Sequence, residues 1–139
     1  MGGYSRSRCR EWALQFLYQA EFSGDYQPEA VARFFSHFQE GEAPPAYLQE
    51  LVAGVAAHRE ELDAFIVRYA EHWRLERMTV VDRNLLRLAV YELLYQPGIP
   101  PKVAINEAVA MAKRYGSEAS GGFVNGILDQ VRLALGREA

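Results

Sequence analysis

Apolar residues recur along this chain at three- and four-residue intervals, and no stretch sustains the strict alternation of a half-buried strand. Cys9, Ala13, Phe16, Leu17 and Ala20 fall on one helical stripe. Arg10, Leu14 and Tyr18 step along its flank, and Gly24 provides a stop. Pro28, a favourable first-turn residue, opens a second helix that is expected to bury Val31, Phe34, Phe35 and Phe38 and to end at Gly41. A third stripe begins at Leu48, Leu51, Val52 and Val55 and continues through Leu62, Phe65, Ile66, Tyr69 and Trp73. The pattern fits one bent helix or two that part near His58.

The sequence TVVD gives a fresh start. Thr79 is placed to cap a helix and Asp82, three residues on, completes a capping box with the shorter acid in place of Glu. Leu85, Leu86, Ala89, Val90 and Leu93 carry that helix to QPGIPP. Pro101 opens the next, with Lys113 and Arg114 in its last turn and Gly116 as its stop. The final stripe is Phe123, Val124, Ile127, Leu128, Val131 and Leu135. The expected fold is all-α, two packed three-helix bundles in a single domain 1–139, with subdomains of about 1–77 and 78–139 meeting near Arg77–Met78.

Half of the 139 residues are hydrophobic and 24% are charged, enough to bury a core without disulfides or metal. The single Cys9 excludes an internal disulfide and a cysteine-rich zinc site. It suits a reduced, cytoplasmic setting. The N-terminal MGGYSRSRCR lacks the apolar core of a secretory signal, and LLRLAVYELLY is too short to span a bilayer. The net charge of −3 hides an asymmetry: three of the fifteen basic residues, Arg6, Arg8 and Arg10, fall in the first ten positions, leaving twelve against eighteen acids. A local basic patch on an otherwise acidic chain excludes a general polyanion coat but leaves room for local phosphate contact.

SEASGGFVNGILDQV, residues 117–131, holds three glycines in six positions. A phosphate loop needs a preceding strand and a Lys-Ser or Lys-Thr after its last glycine. Here Tyr115–Gly116 ends a helix, Ile127–Leu128 follows Gly126, and helical spacing runs across Asn125 and Gly126. The stretch is therefore a helix start, capped by Ser117 or Ser120, with Gly122 and Gly126 allowing another backbone to approach. Its N-terminus could instead offer backbone donors to a phosphate. Phe123 is then either a core residue or a stacking face. No catalytic constellation is present: His37, His58 and His72 are scattered outside any metal-binding pair, and Cys9 lies on an apolar stripe. Neither an enzyme, a metal nor a cofactor is expected. Arg6, Arg8 and Arg10, running into a helix that bears Tyr18, combine guanidinium groups for phosphate with an aromatic for base stacking.

RSRCREWALQFLYQ at 6–19, VVDRNLLRLAVYELLY and VAINEAVAMAKRYGSEASGGFVNGILD at 103–129 resemble, respectively, the opening helix, central helix and C-terminal signature of the NusB family. The resemblance covers essentially the whole chain. It implies a small, helical, non-enzymatic transcription antitermination factor. With the ribosomal protein NusE it would bind the boxA element of nascent ribosomal RNA, and through that complex it would join RNA polymerase and other Nus factors. The matching positions assign RNA contact to Arg6, Arg8, Arg10, Tyr18, Lys113, Ser120 and Phe123, and NusE contact to Tyr18, Asp82 and Arg87. Ser7 and Cys9 interrupt the family's denser basic run, Ala119 replaces a common acid, and Gly121–Gly122 replaces bulkier polar residues. Two alternatives remain: a purely protein-binding helical adaptor, and a stand-alone relative of the RNA-binding domain of ribosomal RNA methyltransferases. A monomer and a homodimer both fit the sequence.

Overall fold

Ser5 begins the first helix by accepting a hydrogen bond from the Arg8 backbone N–H, and Gly24 ends it in the left-handed region at φ 74°. Between them α1 spans Arg6–Ser23. The computed structural model describes residues 3–71 and 73–137. His72 lies outside them. The described residues form α-helices and one short 3-10 turn, with no strand.

The chain divides into two units, 1–57 and 58–139. In the first, α1 packs with α2 (Pro28–Ser36) and α3 (Ala46–Ala57). Its core is aromatic: Trp12 meets Phe35 edge-on at 5.0 Å, and Phe16 meets Phe34 at 5.5 Å. The second helix stops at Ser36, earlier than the expected Gly41. The Ser36 hydroxyl donates to the Arg33 carbonyl, and the His37 N–H turns back to the Phe34 carbonyl. Phe38 consequently lies beyond the helix and is exposed, though expected in the core. Its ring still leans on Phe34 at 5.2 Å.

The third stripe is two helices. α3 ends at Ala57 and α4 spans Arg59–Tyr69, with His58 between them stacked on Tyr95 at 4.2 Å. α4 belongs to the second unit, with α5 (Val80–Tyr95), α6 (Pro101–Tyr115) and α7 (Ser120–Ala134). The second unit thus holds the three helices expected of it and α4 packed on α5 and α7 as well, so the contact boundary falls before α4 rather than near Arg77. Trp73, read as the end of the third stripe, is 51% exposed beyond α4.

α5 touches each of the other three helices of its unit and is buried on nearly all sides, charged residues included. Thr79 caps it by accepting from the Asp82 N–H at 3.1 Å. The capping box is only half made. Asp82 Oδ1 is buried and has no hydrogen-bond partner. An aspartate is one methylene shorter than the glutamate that normally reaches back to the cap residue. At the other end, the Arg137 guanidinium donates to the Leu93 carbonyl at 2.7 Å, satisfying one of the helix's open acceptors.

Candidate functional site

In the first unit the basic terminus separates into exposed and buried members. Arg6 and Arg8 are exposed on the first turn of α1, their guanidinium groups over the rings of Tyr47 (5.5 Å) and Trp12 (4.8 Å). These contacts support the stems while the charged groups remain accessible. Arg10, expected beside them, is only 4% exposed. Arg10 lies one turn further into α1 than Arg6, where the helix has entered the packed part of its unit and Cys9, Trp12 and Ala13 are buried around it. It is not part of the exposed basic patch. Cys9 is fully buried, and burial pushes its thiol above the ordinary range, which disfavours the reactive thiolate. Further along α1, Tyr18 is 46% exposed and lies 5.6 Å from the ring of Phe22, itself exposed, so the two form an aromatic pair one turn apart. Periodicity pointed to Tyr18; Phe22 escaped notice because nothing in its neighbourhood marks it as exposed.

In the second unit, Asp82, Ser120 and Phe123 come together around a cavity of about 320 Å³, also lined by Trp73, Arg77 and Thr79. Phe123 is half-buried, its ring edge-on to Trp73 at 5.6 Å. Ser120 is buried, and its Oγ accepts from the Ser117 N–H at 2.9 Å. The N-cap position of α7 is Ala119, so neither serine caps the helix in the ordinary way. Arg77, absent from the expected site, joins it because the short turn Leu75–Arg77 precedes α5.

Arg87 does not join this group. It is 2% exposed, and donates through Nε to Asp63 Oδ1 (2.7 Å), through Nη2 to Asp63 Oδ2 (3.2 Å) and through Nη1 to Asn84 Oδ1 (3.2 Å). The family resemblance implied that Arg87 meets NusE. In the fold it is an interior ion pair linking α4 and α5, with almost no surface to present.

The glycines act differently from the expectation as well. Gly122 and Gly126 lie within α7 beside open space, with no backbone near them. The close approaches are at Gly121, where a Cβ would meet the Lys113 stem at 3.2 Å, and at Gly116. A Cβ on Gly116 would come to 2.5 Å from Ser120 Oγ and 2.8 Å from the Ala112 carbonyl oxygen. Gly116→Ala is therefore expected to destabilise by about 1–3 kcal/mol through overpacking. Gly122→Ala, in an open helical position, should be neutral or gain about 0.5–1 kcal/mol. Chemical denaturation of the two variants side by side checks this; equal stabilities would remove the steric role of Gly116.

Lys113 is exposed near the end of α6, its stem lying along Gly121. Among the described residues, no three His, Cys, Asp or Glu side chains are grouped to hold a metal ion, and no helix is long and apolar enough to cross a membrane.

The described residues define a small all-helical protein whose distinctive features are exposed arginines, half-exposed aromatics and a cavity lined by the Asp82 carboxylate. The pattern that defines the NusB family matches residues 7–132, and the chain belongs to that family. The transcription antitermination protein NusB of Myxococcus xanthus (strain DK1622) is 47% identical over 137 residues, covering 96% of this chain and 98% of that protein. Among solved structures, T. maritima NusB is 40% identical with a TM-score of 0.82, covering 94% of this chain and 92% of that one. The NusB chain of a crystal structure of antitermination factors NusB and NusE in complex with dsRNA is similar at 29% identity and a TM-score of 0.81, covering 93% and 96%.

Proposed function

We propose that this chain is a transcription antitermination factor that binds the boxA element of nascent ribosomal RNA together with NusE and so joins RNA polymerase and the other Nus factors. The observation that carries this reading is the whole-length similarity to a NusB solved with NusE and RNA. The exposed Arg6 and Arg8 give that similarity a physical counterpart, since guanidinium groups bind phosphate oxygens in pairs. Tyr18 and Phe123 supply accessible aromatic surface, Lys113 adds an exposed cation, and the buried Ser120 contributes by shaping the start of α7. Arg10 and Arg87 act from the interior, by supporting their helices. The factor works by assembly rather than catalysis, in the cytoplasm, as one domain.

Titration of labelled boxA-like RNA with the protein, alone and with its cognate NusE, tests the proposal. Binding alone is expected to be weak and salt-sensitive, and to tighten when NusE is present. For single strands the log–log salt slope is about −0.7 per phosphate neutralised, so Arg6→Ala with Arg8→Ala should remove roughly 1.4 units of slope, and Arg10→Ala should lower stability instead. An unchanged slope in the double variant takes the two arginines out of the interface. NusE binding with no RNA binding under any condition would leave the helical adaptor as the better reading.

A further inference from the structure

The first turn of α1 is electrostatically unfavourable as it stands. Arg6 and Arg8 lie in it, and no acid accompanies them there. A helix N-terminus already bears partial positive charge from its open N–H groups, so cations at this end weaken the turn. Ser5 Oγ satisfies one of those donors, accepting from the Arg8 N–H at 3.1 Å. Further support comes from Tyr4, the residue just before the cap. Its ring meets Trp12 edge-on at 4.9 Å and Phe35 of α2 at 6.0 Å. Its hydroxyl donates to Glu42 Oε1, in the loop between α2 and α3, at 3.2 Å.

An apolar residue at this position can staple itself to the next turn of its own helix, which fixes the angle at which the chain enters. Here the staple reaches further, to a second helix and to a loop. Trp12 is the shared support, since the Arg8 guanidinium lies over the same ring at 4.8 Å. Tyr4 itself is 38% exposed, too open to act as a core residue on which folding depends.

We propose that Tyr4 is a positioning residue for RNA binding: by tying the start of α1 to Trp12, Phe35 and Glu42, it holds Arg6 and Arg8 in place before the RNA arrives. The proposal rests on the RNA-binding reading above. A charged side chain whose backbone is already ordered loses less freedom when it engages a phosphate, and affinity rises by the ordering cost avoided. Without Tyr4 the same two arginines would neutralise the same phosphates, but from a turn that has to form on binding. Direct stacking of Tyr4 on a base is the weaker reading. The Glu42 carboxylate beside its hydroxyl repels a phosphate backbone approaching that ring.

The test uses the full chain and labelled boxA-like RNA, with NusE present. Tyr4→Ala is expected to weaken binding about 10-fold, the ordering cost of two long side chains, with the salt slope unchanged. Tyr4→Phe keeps the ring contacts and loses one exposed hydrogen bond, so it should stay within about 3-fold of the unmutated protein. In the Arg6→Ala, Arg8→Ala background, Tyr4→Ala should change affinity by less than about 2-fold, because a residue acting only through those arginines has nothing left to position. Amide exchange of the free protein provides a separate reading. The Arg8 and Cys9 N–H groups, bonded to Ser5 Oγ and to the Ser5 carbonyl, should exchange faster in Tyr4→Ala. Unchanged exchange at both amides overturns the positioning role. An equal loss of affinity with and without the arginines also overturns it, by assigning Tyr4 a direct RNA contact. A loss that only tracks the folded fraction reduces Tyr4 to a structural residue and overturns it too. Because exchange is measured without RNA, an unmutated protein that binds no RNA with or without NusE fails the RNA-binding reading separately.

Discussion

Arg87→Ala is expected to cost about 3–5 kcal/mol of stability, the range for breaking a buried ion pair from one side. The side chain is held on three nitrogens, bidentate on Asp63 and single on Asn84, and its removal strips all of these acceptors at once. Asp63 retains 22% side-chain exposure, so water will solvate part of the orphaned carboxylate and the loss should lie near the lower end of the range. Asp63→Ala leaves the more deeply buried charge, Arg87 at 3%, without its main partner and should cost at least as much. The double variant Arg87→Met with Asp63→Leu should recover much of the loss, because desolvation of two charges offsets most of the attraction between them. Denaturant unfolding of the three variants at fixed ionic strength separates these contributions. If Arg87→Ala keeps full stability and loses only NusE binding, the interior role is wrong and the residue belongs to the partner surface.

Phe123→Ala is expected to weaken RNA binding by about 1–3 kcal/mol, the usual cost of losing a base-stacking aromatic, with little change in folding. A core phenylalanine truncated to alanine would instead cost about 3–5 kcal/mol of stability. The structure favours the first outcome on two counts. Val124, Ile127, Leu128 and Val131 form the buried stripe of α7 without Phe123, which is only half-buried. Its neighbour Trp73 is itself half in solvent, so the pair is an accessible aromatic surface rather than the edge of the core. RNA titration and thermal unfolding of the same preparation check both quantities. A large drop in Tm with unchanged affinity of the folded fraction would sink the stacking role.

Helix ends were legible where one residue type has one conformational use. Gly24 supplies the left-handed cap, Pro28 and Pro101 fix the first turn of their helices, and Thr79 offers a side-chain acceptor to open backbone donors. The candidate site was legible only in part. Arg6, Arg8, Tyr18, Lys113 and Phe123 occupy accessible positions. Arg10, assigned to the RNA, and Asp82 and Arg87, assigned to NusE by the resemblance, are buried, and for Arg87 the compensation that permits this comes from a remote residue. Asp63 lies 24 positions from Arg87. Trp73 and Phe38 misled in the other direction, since a large ring carries apolar periodicity even after its helix has ended.

The sequence by itself determined that this protein is helical throughout its described length, where most of its helices begin and end, and which family it resembles. Those properties follow from local sterics and from the spacing of apolar residues, both of which can be read along one dimension. Tertiary structure decided that the third stripe breaks at His58, that α4 packs with the second set of helices, and that Asp82, Ser120 and Phe123 share a cavity with Trp73 and Arg77. It also decided which charges are surface and which are interior. Each of these depends on what lies opposite a residue in space, and helical periodicity specifies the direction in which a side chain points without specifying what it meets there.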